Sequence, residues 1–164
     1  MGFDAFIKID GIEGESKDDG HKGWVEILNF SHGVSQATTG TASSTGSGAG
    51  QRCDMTPFHF AKQLDKASPK LNAFCAGADA VKTVDVELCR AGGDKQLYMK
   101  YKLSDCIISS VQVGGASAGD GGVPIEEVGI TYGKIEWEYT VIGNDNKPAG
   151  KVPAGWDLGA NKKV

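Results

Sequence analysis

The sequence predicts a mainly β protein: an antiparallel β-barrel or two-sheet sandwich with one flanking α-helix. Three observations carry that expectation. Roughly eight short segments alternate apolar and polar side chains with a period of two, as strands with one buried face do. One stretch alone carries helical spacing and capping, so there is no alternation of strand and helix to build a parallel sheet. Glycine supplies 24 of the 164 residues and proline only 5, about twice ordinary glycine usage, which suits many turns between strands. A chain of this length buries its own core, so residues 1–164 are read as one domain.

In chain order, Phe3, Ala5, Ile7 and Ile9 share one face, with Asp4, Lys8 and Asp10 opposite, and form the first strand. The polar run from Glu13 to Gly23 is a loop. Trp24 to Ser31 alternates again, with apolar side chains on both faces, so both sides of that strand are expected to be covered. Residues 37–50 hold no apolar side chain larger than alanine and cannot bury a core. They predict a mobile loop, and composition leaves open whether it is a plain surface loop or one ordered by another subunit.

Residues 57–77 carry the helix. Ser68 is its expected N-cap, Pro69 its first helical residue and Gly77 its closing glycine. Leu71, Phe74 and Cys75 fall on one face, and a looser turn from Phe60 to Asp65 is expected before it. Strands follow: Val81 to Ala91, a turn at Gly92-Gly93-Asp94, then Leu97 to Leu103 as its hairpin partner. Cys106 to Val113, Val128 to Tyr132 and Ile135 to Val141 continue the β pattern, with a glycine loop over 114–122. The tail, 143–164, is read as turns up to the apolar anchors Trp156 and Leu158.

Charge and composition remove several function classes. The formal net charge is −4, and Arg52 and Arg90 are the two arginines, so the basic footprint of a nucleic-acid binder is missing. No segment approaches the ~18 apolar residues of a membrane span. The N-terminus has neither a basic head nor an apolar run, so no cleaved signal peptide is expected and synthesis is cytosolic. Cys53, Cys75, Cys89 and Cys106 form no CxxC pair, and His21, His32 and His59 add no metal-ligand spacing. Buried, reduced thiols are expected, with no metal and no cofactor.

No catalytic constellation assembles either. Gly115 to Gly119 matches the GxSxG of a hydrolase nucleophile elbow, but glycines follow it and no histidine lies beyond His59, so the required order of acid and base fails. Gly46, Gly48 and Gly50 lack the lysine and the following helix of a phosphate loop. Asp18-Asp19 and Glu126-Glu127 are adjacent acids, which on a strand point to opposite faces and on a loop are simply solvated, and His32 and His59 read as residues without a visible partner. The chain is read as a non-enzyme.

Several stretches together resemble the haemolysin-coregulated protein (Hcp) family, the tube protein of type VI secretion systems. They are Phe6 to Ser16 (FIKIDGIEGES), Phe30 to Ser35 (FSHGVS), and Pro57-Phe58-His59-Phe60 with Lys62 and Leu64 to Leu71 (LDKASPKL). Tyr101 to Asp105, Ile107 to Val111, Tyr132 to Tyr139 and Gly155 to Leu158 follow in the same order. The glycine-rich loops and the four cysteines depart from the family's common pattern.

The resemblance implies a small two-sheet β-barrel whose six copies form a ring with a wide hole. It further implies stacked rings, a surrounding contractile sheath, a spike trimer at the tube tip, and effector proteins carried in the lumen. Such a protein leaves the bacterial cytoplasm for the extracellular space or a target cell. On that basis Ser31 is a candidate lumen residue, sharing its face with Val25, Ile27 and Asn29 unless a bulge shifts the register. Thr38, Gly40, Ser43, Gly46, Gly48 and Gly50 are candidate ring or stacking contacts. The competing reading is a monomeric barrel that binds a ligand in its interior.

Overall fold

A computed structural model describes residues 2–37, 52–92, 95–117, 119 and 122–164. Among the described residues, ten antiparallel strands form one branched sheet, and β4 (Val34–Ser35) with β5 (Asp54–Met55) form a small separate ladder. The mainly β expectation with one helix holds.

The branch point is β8 (Leu97–Gly114), an 18-residue strand. The side-chain pattern predicts Leu97–Leu103 and Cys106–Val113 as separate strands, but the chain runs on through Asp105, whose φ of 54° bends it. The first half of β8 pairs with β7 (Ala80–Arg90) and β10 (Lys134–Ile142), and the second half with β9 (Ile125–Thr131). One limb then runs β12-β11-β10-β8-β7-β1-β2, and the other runs β8-β9-β6-β3. Here β1 is Phe3–Ile9, β2 Val25–Ile27, β3 Asn29–Ser31, β6 Phe58–Gln63, β11 Pro148–Asp157 and β12 Lys162–Lys163.

The two limbs fold over one core. Ile7, Val25, Val84, Val86, Leu103 and Ile135 come from the first limb, and Phe58, Phe60, Val128 and Ile130 from the second, all nearly inaccessible. Phe58 of one limb stands 5.6 Å from Tyr101 of the other, ring centre to ring centre. Such aromatic contacts add to the area term that drives closure of the layers.

The expected Trp24–Ser31 strand is broken. At Leu28 the chain leaves β1 and joins β6, with Leu28 N–H donating to the Ala61 carbonyl at 2.7 Å. Leu28 is an extra residue in the alternation, so the parity of the faces flips across it. Val25 and Ile27 are buried before the bend; Phe30 turns inward after it, and Asn29 and Ser31 are exposed. Ser31 therefore shares a face with Asn29 but not with Val25 or Ile27.

The helix α1 spans Ser68–Gly77, with Ala67 as its N-cap and left-handed Ala78 (φ 50°) as its C-cap. Ser68 is not the cap because its Oγ is engaged elsewhere, accepting from Asp65 N–H at 3.1 Å and from Lys62 Nζ at 3.2 Å. Gly77 stays helical; Ala78 and Asp79 N–H instead close the last turn on the Cys75 and Phe74 carbonyls. The looser turn expected from Phe60 to Asp65 is β6 as far as Gln63, because Phe58, Phe60 and Lys62 alternate into the core.

The tail also differs from its reading as turns. Pro148–Asp157 is β11, paired along its length with β10, and Lys162–Lys163 adds a short edge strand. Trp156 and Leu158 do pack on the core as anchors. The Arg52 guanidinium donates to the Leu158 carbonyl, tying the tail to the segment before β5.

Candidate functional site

Ser31 sits at one edge of a solvent-facing wall built by β3, β6, β9 and the second half of β8. Cross-strand register aligns Ser31 with His59, His59 with Gly129, and Gly129 with Ser110. The adjoining row aligns Asn29, Ala61, Glu127 and Gln112. Strand pleating directs these side chains away from the core that holds Phe58, Phe60, Val128 and Ile130.

The wall is low in relief for a sterically defined reason. A Cβ on Gly129 would lie 2.6 Å from Ser110 Oγ and 3.0 Å from the His59 ring. The two neighbouring side chains close over the glycine, so any larger residue there would displace them. These two rows carry small or neutral polar groups, one carboxylate (Glu127) and one imidazole (His59), with no lysine or arginine. That surface offers hydrogen bonds from a shallow, mostly uncharged face.

The opposite kind of surface covers the outer face of β7, β8, β10 and β11. Asp85, Lys102 and Glu136 align across strands, as do Glu87, Lys100 and Glu138. Lys100 lies 3.9 Å from Asp85 and 3.8 Å from Glu87, and Lys151 lies 3.3 Å from Glu138. Opposite charges side by side on exposed strands stabilise only weakly, but they leave the face nearly self-neutralised. On the other side of β10 and β11 the inner row runs out of the core: Tyr139, Val141 and Val152 stay 43%, 40% and 61% exposed. Tyr139 and Val152 are direct cross-strand partners, so the exposure is one apolar flank.

His32 has partners that the sequence did not reveal. The Tyr132 hydroxyl donates to the Thr56 carbonyl at 2.9 Å and meets His32 Nδ1 at 3.1 Å. Burial holds the His32 pKa below its ordinary value, with the Thr56 carbonyl a smaller opposing influence, and pushes the Tyr132 phenol up to about 12. His59, by contrast, is exposed on the wall.

Asp18, expected to be simply solvated, accepts from Lys95 Nζ at 2.6 Å and lies 2.7 Å from His21 Nδ1. The Lys95 and His21 bonds hold its carboxyl below the usual range. The far nitrogen of His21 reaches Glu87 at 2.6 Å, and its ring stacks on Phe6 at 4.1 Å. Phe6 thus fills the second face of β1, which the alternation had assigned to polar residues.

The Pro57–Leu71 motif is structural. Lys62 and Glu126, direct register partners, are both fully buried with Nζ to Oε2 at 3.1 Å. Lys62 Nζ also donates to Asp65 Oδ1 at 2.8 Å and to the Gln63 carbonyl at 3.0 Å. A signal for this pair was present: Lys62 continues the parity of Phe58 and Phe60, and Glu126 that of Val128 and Ile130. Glu127 does face outward, as its parity requires.

The four cysteines are unpaired; Cys89 and Cys106 are buried, whereas Cys53 and Cys75 are only half-buried. Burial raises the Cys89 thiol to about 11 and Cys106 to about 12. Among the described residues no cluster of three histidine, cysteine or acidic side chains could hold a metal. Thr38, Gly40, Ser43, Gly46, Gly48 and Gly50 lie outside the described residues, as does the Gly93-Asp94 part of the expected turn.

A family profile described as type VI secretion system effector, Hcp, matches residues 6–139. Protein hcp1 of Pseudomonas aeruginosa is 30% identical over 163 residues, 98% of each chain. The major exported protein of the same organism is 28% identical over 85% of this chain and 83% of its own. A solved structure of a type six secretion system protein superposes with a TM-score of 0.92 at 35% identity, covering 99% of this chain and all of the other.

Proposed function

Because this chain belongs to the Hcp family of type VI secretion proteins, we propose that it is a tube subunit whose six copies close a ring and whose rings stack. The observation that carries this reading is the apolar flank of Tyr139, Val141 and Val152. It lies on a different limb from the wall around Ser31, and a head-to-tail ring needs two unlike patches on each subunit. Burying such a flank against a neighbour removes apolar surface from water at about 25 cal/mol per Å².

In the ring, the wall of Asn29, Ser31, His59 and Ser110 lines the lumen. Its polar, hydrogen-bonding side chains and low relief leave room for effector proteins. Thr38, Gly40, Ser43, Gly46, Gly48 and Gly50 lie in ring or stacking contacts. The contractile sheath surrounds the tube, the spike trimer caps it, and the protein is exported with its cargo. The protein works by shape, and no reaction is assigned to it.

The alternative of a ligand-binding barrel has less support, since Phe30, Phe58, Tyr101 and His32 occupy the interior at ring separations of 5.6–6.2 Å. Size-exclusion chromatography with light scattering at micromolar concentration tests the reading. Six times the chain mass is expected, with rings visible in negative stain. A monomer at moderate salt would overturn it.

A further inference from the structure

We propose that His32 is an acid-sensitive latch: protonating its imidazole releases the β4–β5 ladder from the barrel. The Tyr132 hydroxyl has one hydrogen, and it is committed to the Thr56 carbonyl at 2.9 Å. With that hydrogen on the Thr56 carbonyl, the 3.1 Å contact is satisfied by the tautomer in which His32 Nδ1 is the donor. Nε2 is then a bare lone pair, buried and without a hydrogen-bond partner. A second proton on the ring must go there.

Nothing around Nε2 welcomes it. Phe58 of β6, Tyr101 of β8, Tyr132 of the β9–β10 turn and Trp137 of β10 surround the ring, with centres 6.0–6.2 Å away. Of the titratable groups on these elements, the Tyr101 and Tyr132 phenols are the ones whose rings meet His32, with the Cys53 and Cys106 thiols beside Tyr132. All are neutral in acid. Among the described residues the one histidine that meets a carboxylate is His21, not His32.

The latch holds a small structure in place. Thr56, gripped by Tyr132, donates its N–H to the Gly33 carbonyl at 3.0 Å, and Thr56 Oγ1 accepts from Gly33 N–H at 2.9 Å. Directly beyond that pair, Val34 aligns with Met55 and Ser35 with Asp54. His32, Tyr132, Thr56 and Gly33 thus close a ring of contacts at the foot of the ladder; beyond it Val34, Ser35 and Asp54 are exposed and Met55 alone packs against the core. Swinging the foot outward lets water reach the protonated imidazole.

The direction with pH follows from burial. The latched ring takes up a proton less readily than a solvated one, whose ordinary value is 6.5. The latched state is fully favoured above that value and loses ground as pH falls, by at most tenfold per pH unit. The loss levels off below the latched state's own pKa.

Hydrogen exchange by mass spectrometry on the full-length protein, at pH 7.5 and pH 5.0 and corrected for intrinsic rates, tests this. Peptides covering residues 33–37 and 52–57 should lose protection by up to about thirtyfold in acid, while β7 keeps its protection. His32→Asn, which keeps an N–H donor toward Tyr132 but takes up no proton, should abolish the pH effect. His21→Asn and His59→Asn should retain it. Unchanged or increased protection in acid, or the same loss in His32→Asn, would overturn the latch. If that variant does not fold, the wild-type imidazoles are titrated by NMR, and ladder opening must track the His32 midpoint. A separation of more than one pH unit between them defeats the proposal.

Discussion

At the scale of single residues, parity along a strand decides most roles. Ser31 faces outward because Leu28 inserts one residue into the alternation, and the same step sends Phe30 inward. Replacing Ser31 with glutamine should leave the fold and ring mass unchanged and reduce retention of a co-expressed effector, measured by co-purification. Broken rings, or unchanged retention of a confirmed cargo, would remove Ser31 from the lumen wall. Lys62 tests the opposite parity. Lys62→Met strands the buried Glu126 carboxylate, so a stability loss of about 3–5 kcal/mol is expected by chemical denaturation. Pairing it with Glu126→Leu should recover most of that loss, since two apolar groups need no partner. The cysteines divide by burial: thiol labelling of native protein should spare Cys89 and Cys106 and reach Cys53 and Cys75 first. Rapid labelling of Cys89 or Cys106 would contradict their burial.

At the scale of elements, β8 joins the two limbs. Its first half carries the charged rows on one side and the aromatic core on the other, and its second half supports the wall. The separate β4–β5 ladder has no part in that sheet, so the segment between these strands is expected to be dispensable for folding. Deleting residues 40–48 should leave the thermal midpoint within a few degrees of wild type but impair tube stacking or secretion. Secretion and stacking at wild-type level would make it a plain linker.

At the scale of the whole molecule, the fold leaves an apolar flank at Tyr139, Val141 and Val152 that its own core does not cover. Val152 is 61% exposed and opposite Tyr139, so Val152→Asp should cost the isolated subunit little. The same change should disperse rings to monomers in light scattering, because an unpaired carboxylate would be desolvated in the subunit contact. Rings that survive it would move the contact elsewhere on the surface.

What the sequence determined by itself rests on local periodicity: the β class, the single helix and the Val81–Leu103 hairpin. The chain-order motifs also carried the family. What it could not contain was the meaning of partner choice. Whether Cys106 begins a strand or continues one depends on β7, β9 and β10 gripping both halves of β8 together. Turn-like residues from Pro148 onward become β11 because β10 presents a free edge of N–H and C=O groups to satisfy. The transfer from β1 to β6 at Leu28 is likewise set by two distant strands, not by anything within Trp24–Ser31. The His32–Tyr132–Thr56 contacts span 100 residues of chain, and the imidazole finds its partner only after both limbs have closed. Local patterns fix which face of a strand is apolar; only the closed sheet decides what that face meets.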